Sequence, residues 1–109
     1  MKSQSLKNDI INLLTLCRKA GKMQLGFDAA KDSALSGQAG CVLATGDVSP
    51  KTLKETEYFC SKSGVPMFKT TLLMDDVERF LGKRAGVLAV CGDGFAERLS
   101  ELFGENPGP

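Results

Sequence analysis

The chain has 109 residues, 42% of them apolar, which predicts one domain with a real hydrophobic core. Its formal net charge of +1 does not advertise nucleic-acid binding. No apolar run reaches transmembrane length and no N-terminal stretch has the apolar core of a signal peptide, so a soluble, cytoplasmic protein is expected.

The chain reads as alternating helices and short strands. Residues 1–4 read as frayed. From Leu6 to Ala20 the apolar positions Leu6, Ile10, Leu13, Leu14, Cys17 and Ala20 recur at steps of three and four, predicting an amphipathic helix capped by Gly21. Met23 to Leu25 reads as a short edge strand. A second helix is predicted over Asp28 to Ser36, stopped by Gly37. Ala39 to Thr45 is apolar throughout and reads as a strand buried on both faces. Ser49-Pro50 starts a third helix, with Ser as N-cap and Pro in the first turn, ending near Ser63-Gly64. Val65 to Phe68 is a further short strand. A fourth helix runs from Met74 to Leu81, with Asp75 and Asp76 in its first turn and Gly82 behind it. Ala85 to Cys91 is a second fully apolar strand, and a last helix follows Gly92-Asp93-Gly94 through Phe95, Leu99, Leu102 and Phe103. The tail 104–109 is expected to be flexible, leaving a core of about 6–103. Apolar central strands need cover on both faces, so the fold class expected is a three-layer α/β/α sandwich around a mixed four-stranded sheet.

Charge is unevenly distributed. Residues 1–27 carry Lys2, Lys7, Arg18, Lys19 and Lys22 against Asp9; residues 85–109 carry Arg98 against Asp93, Glu97, Glu101 and Glu105. Such a layout presents either one basic face or merely solvated helix surfaces. The segment Ala20 to Gly37 is the most informative. It predicts a helix N-terminus, with its free N–H groups, beside the cationic cluster Arg18, Lys19 and Lys22, a corner suited to phosphate.

Signals for other chemistry are weak. The chain has no histidine, and Cys17, Cys41, Cys60 and Cys91 form no CxxC pair, so they read as buried free thiols. Cys17 beside Arg18 is the only candidate nucleophile, and its apolar-face spacing predicts burial. Gly92-Asp93-Gly94 lacks the third glycine of a dinucleotide fingerprint, Glu97 standing there, and reads as a turn with a helix cap. Gly46-Asp47 is a similar turn, with Asp47 expected to order the loop before the Ser49-Pro50 helix. No enzymatic activity and no metal are expected.

The ordered set Leu16-Cys17-Arg18-Lys19-Ala20-Gly21-Lys22, Leu25-Gly26, Ser36-Gly37, Asp47, Ser49-Pro50, Val65-Pro66 and Leu81-Gly82-Lys83 resembles the kink-turn RNA-binding ribosomal-protein family, the superfamily of ribosomal protein L-seven-Ae. Within it the likeness is to the small bacterial YlxQ-like branch, over roughly residues 8–103. The resemblance implies an α/β/α sandwich that binds sharply bent RNA through a Gly-x-Asn-Glu-x-x-Lys motif at the start of the second helix, and through a loop before the last strand that holds an unstacked base. Carried onto this chain, Gly26 matches the motif glycine. Asp28 stands where the family has Asn, Ala29 where it has Glu and Asp32 where it has Lys; Gln24 and Leu25 stand where it often has lysines. Ionised Asp only accepts hydrogen bonds, whereas Asn also donates. Lys31 lies one position before Asp32, about 100° round a helix, and substitutes only in part.

The RNA-binding residues so implied are Lys19, Lys22, Gly26, Phe27, Asp28, Lys31, Asp32, Lys83, Arg84 and Ala85. Asp28 and Asp32 also read as ordinary capping and first-turn acids, a role favoured for Asp28. Lys19, Lys22, Lys83 and Arg84 form one phosphate-binding face if the two loops adjoin, while Ala85, Gly86 and Val87 would pack on a base. The implied partners are structured RNA and the ribosome, with no cofactor, no membrane and a monomer or weak dimer. The alternative is a protein–protein interaction module on the same fold, marked by an exposed Leu25 or Phe27. A nucleotide binder at the Gly46-Asp47 and Gly92-Asp93-Gly94 turns is a third reading.

Overall fold

A computed structural model describes residues 2–104, which form five helices and four strands in the order α1 (Lys2–Lys19), β1 (Met23–Leu25), α2 (Phe27–Leu35), β2 (Cys41–Ala44), α3 (Pro50–Ser63), β3 (Met67–Lys69), α4 (Met74–Leu81), β4 (Val87–Val90) and α5 (Asp93–Gly104). The predicted order of elements holds throughout. Helix α1 already includes residues 2–4, predicted to fray. Met1 and residues 105–109, most of the predicted tail, lie outside the described residues. No described helix is long and apolar enough to cross a membrane.

The sheet order is β1-β4-β2-β3. Strand β4 pairs antiparallel with β1 on one side and with β2 on the other, and β2 pairs parallel with β3. All residues of β2 and β4 are buried, as their uninterrupted apolar runs require. Alternation along these strands sorts the side chains into two cores. Cys41, Leu43, Leu88 and Val90 join Ile10, Leu14 and Cys17 of α1, Val77 and Leu81 of α4, and Leu99 and Leu102 of α5. Val42, Val87 and Ala89 face Ala30 and Ala34 of α2 and Phe59 and Cys60 of α3. The result is three layers, with α1, α4 and α5 on one face and α2 and α3 on the other. Each leucine removed from water here is worth about 1.5–3 kcal/mol. The second face is built largely from small residues on α2, so this helix lies close to the sheet.

The helix ends follow the residues that punctuate them. Gly21 takes a left-handed conformation, φ 71°, after α1, and Lys22 N–H donates to Cys17 O at 3.0 Å, as a helix-terminating glycine allows. The Ser49 hydroxyl accepts from Thr52 N–H at 3.1 Å at the start of α3, with Pro50 as its first residue. Asp76 Oδ2 accepts from Leu73 N–H at 2.9 Å at the start of α4.

Candidate nucleic-acid interface

Strand polarity gathers four connections at one end of the sheet. β1, β2 and β3 all finish there and β4 begins there, since Leu25 pairs with Leu88, Ala44 with Val87 and Ala44 with Lys69. Backbone hydrogen bonds tie these connections together. Gly26 N–H donates to Val87 O at 2.8 Å, Thr45 N–H to Gly86 O at 2.9 Å, Gly46 N–H to Leu72 O at 2.7 Å and Thr70 N–H to Ala44 O at 2.9 Å. The approach is close enough that a Cβ on Gly46 would stand 3.1 Å from Thr70 O. The start of α2 and the 82–86 loop are therefore neighbours, held by the Gly26–Val87 bond.

Gly26 is the residue before α2, with φ 110° and ψ 155°, a backbone conformation essentially restricted to glycine. It lets the chain leave β1 and enter α2 with no intervening loop. No side chain caps α2. Its first-turn N–H groups are left to an outside acceptor, at the positive end of the helix dipole. Asp28, read as a possible cap, makes no such bond and stands exposed in the first turn.

The remaining predicted residues divide. Lys83 and Arg84 lie exposed in the 82–86 loop, beside the start of α2. Arg84 is already engaged, because its guanidinium pairs with Asp75 and lies 3.6 Å from Glu78. The Asp75 hydrogen bond and charge hold its pKa above the ordinary arginine value. Ala85 is 7% exposed and belongs to the core below α4, and Val87 is buried on the other face. Neither offers an apolar platform to a base, which corrects that expectation: the strand that follows draws both side chains inward.

Lys22 is not part of this end. Lys22 O accepts from Cys91 N–H at 2.7 Å, beyond the other end of the β1–β4 ladder, about 13 Å along the strand from Gly26. The single cationic corner expected from residues 18–26 is thus split by β1. Arg18 is engaged beside the start of the 82–86 loop, because its Nε donates to Leu81 O at 3.3 Å and joins the end of α1 to the end of α4. Lys31 and Asp32 also part company. Lys31 lines a groove against α3 with Phe27, Leu35 and Tyr58, whereas Asp32 borders a shallow depression with Gln24, Ser36 and Gln38.

Asp47 has a second role that local sequence does not show. Its carboxylate accepts from Met74 N–H at 3.1 Å, so besides its contacts within the loop before α3 it caps α4 across the sheet end. Burial works to raise its pKa, but the nearby Thr45 hydroxyl, the Met74 and Asp47 N–H groups and the Arg84 charge outweigh it and hold the carboxyl below its ordinary value. Thr45 Oγ1 itself is buried without a hydrogen-bond partner of ordinary geometry. Leu25 is 5% exposed, and Phe27 is half-buried with its ring edge-on to Phe59 at 5.6 Å. The exposed Leu25 or Phe27 that would mark a protein-binding corner is therefore lacking. The Cys17 thiol is buried and donates to Lys22 O at 3.2 Å, and burial pushes it up to about 11, so it is not a thiolate at neutral pH.

Two solved structures share this architecture. A protein with unknown function from Bacillus halodurans C superposes with a TM-score of 0.81 at 23% identity, over 87% of this chain and 96% of its own. The Giardia lamblia 15.5kD RNA binding protein does so with a TM-score of 0.75 at 19% identity, over 93% of this chain and 87% of its own. At such identities the likeness establishes the fold. No curated protein matches the sequence. The family model for the ribosomal protein L7Ae/L30e/S12e/Gadd45 family matches residues 8–96, spanning α1 to the first turn of α5, and the chain belongs to that family.

Proposed function

We propose that this protein binds sharply bent RNA of the kink-turn type at the sheet end formed by the start of α2 and the 82–86 loop. The observation that carries this reading is the Gly26 N–H···O Val87 hydrogen bond, which sets an uncapped helix N-terminus beside the loop bearing Lys83. Distorted RNA exposes base edges and crowds phosphates, and such a corner supplies both backbone donors and a cation for them. Family membership and the fold shared with the Giardia lamblia RNA binding protein support the same reading. Burial of Leu25 and of part of Phe27 favours RNA over a protein partner at this corner.

Recognition here uses altered readers. Asp28 accepts from guanine N–H groups where an asparagine would both accept and donate, and Asp32 supplies no cation. The partner is ribosomal or another structured RNA in the cytoplasm, as in the YlxQ-like branch, and no cofactor takes part. The test is a titration of the purified protein against a standard kink-turn RNA and a straight duplex of matched length, at two salt concentrations. Tighter binding to the kinked RNA is expected at both. Equal, steeply salt-dependent affinity for the two would reduce the activity to nonspecific phosphate contact, and absence of binding to either would overturn the reading.

A further inference from the structure

A cluster of unpaired positive charge on the described surface lies away from the sheet end. There Asp28, Asp47, Asp75 and Glu78 outnumber Lys83 and Arg84. It lies in the groove between α2 and α3. Phe27, Lys31 and Leu35 follow one another at steps of four along α2, and Lys54, Tyr58 and Lys62 do the same along α3, so each set forms one stripe of its helix. The stripes face each other across a groove of about 450 Å³, with the edge-to-face rings of Phe27 and Phe59 along its wall. Glu55 is its one acidic lining residue, and among the described residues no ion pair engages Lys31, Lys54 or Lys62.

Tyr58 is 68% exposed, and Lys62 Nζ stands 6.0 Å from its ring centre. Lys54, Tyr58 and Lys62 thus present cation, aromatic face and cation at steps of four residues, about 6 Å along the helix axis. That step is close to the spacing of successive nucleotides in an extended strand. An aromatic face between cations holds single-stranded nucleic acid by base stacking and phosphate neutralisation, with little dependence on sequence. The groove begins at Phe27, directly after Gly26, so it continues the corner assigned to bent RNA.

We propose that the α2–α3 groove takes a single-stranded stretch of RNA running on from the bent duplex, with a base stacked on Tyr58 and phosphates on Lys31, Lys54 and Lys62. This assignment rests on the RNA reading above, and it places much of the electrostatic affinity away from the helix N-terminus. An acidic peptide would satisfy the lysines but leave the exposed ring without a matching flat partner, which favours nucleic acid.

The test uses three RNAs: a blunt kink-turn duplex, the same duplex with a short oligouridine tail, and free oligouridine. Titration of the wild-type chain should give affinity about tenfold higher for the tailed than for the blunt duplex. Tyr58→Ala, and separately Lys31→Ala with Lys54→Ala and Lys62→Ala, should remove that increment and leave the blunt duplex unaffected by Tyr58→Ala. Ultraviolet crosslinking of the tail should label the α3 peptide in the wild-type chain and not in Tyr58→Ala. Equal wild-type affinity for tailed and blunt duplexes overturns the groove assignment while leaving kink recognition standing. Preference for oligouridine and tail without preference for the kink overturns the corner and keeps the groove. Indifference to all three RNAs, with a protein seated across Tyr58 instead, overturns both.

Discussion

Asp47 shows how one side chain can serve an element remote in sequence. Its carboxylate reaches Met74 N–H at 3.1 Å, closing the start of α4 from the loop after β2. Because its folded-state pKa lies below the ordinary value of about 3.9, the charged form is the stabilising one. That contribution is complete above the unfolded pKa and is lost as pH falls through the folded one. Asp47→Ala should therefore lower the midpoint of thermal unfolding at neutral pH, and its gap to the wild-type chain should narrow as pH falls from about 4. A gap unchanged down to the acid limit would show that the carboxylate charge plays no part. The sequence made Asp47 visible as a turn residue but not its partner, since nothing local connects residue 47 to residue 74. Arg84 teaches the same lesson with the opposite sign. It reads as a free cation beside Lys83, yet α4 brings Asp75 and Glu78 against it.

At the scale of elements, the join between β1 and α2 is the feature on which the interface depends. Gly26 turns the chain from an edge strand directly into a helix, at φ 110° and ψ 155°. A Cβ added there would meet nothing within 4 Å, so a side chain costs backbone strain rather than a clash. Gly26→Ala should destabilise the fold by about 1–3 kcal/mol in urea unfolding with an unchanged denaturant slope. Wild-type stability in this variant would mean that the join relaxes freely and that Gly26 is not required by geometry. The helices and strands themselves were legible, because α1 shows its 3.6-residue period and β2 and β4 are unbroken apolar runs. Helical spacing puts Lys31 and Asp32 about 100° apart but does not say what each faces. Only the docking of α2 against α3 turns the first toward Tyr58 and the second toward Gln38.

Across the whole molecule, charge is spent on internal pairing at one place and left free at another. Lys7 pairs with Asp76 at 3.6 Å between α1 and α4, and Arg84 is held by two acids of α4, whereas Lys83 has no ion pair among the described residues. In titrations against a kink-turn RNA over a range of salt, Lys83→Ala should reduce the magnitude of the salt slope by about 1, as expected for one lost phosphate contact. Arg84→Ala should change it less. Asp75→Asn with Glu78→Gln should tighten binding by removing two anions and releasing the guanidinium. Equal slopes in all four proteins would remove the 82–86 loop from the interface.

The sequence by itself determined the elements, their order and the family likeness, because hydrophobic periodicity, Gly21, Ser49-Pro50 and Gly64 act over a few residues and need no distant partner. It also placed Gly26 at the head of α2. Only the tertiary structure decided which cations share a face. The sheet order β1-β4-β2-β3 carries Lys22 to one end and Lys83 to the other, buries Ala85 and Val87 and lays α2 against α3 to frame Tyr58 with three lysines. Such neighbourhoods depend on strand pairing between residues tens of positions apart, and no local spacing encodes them.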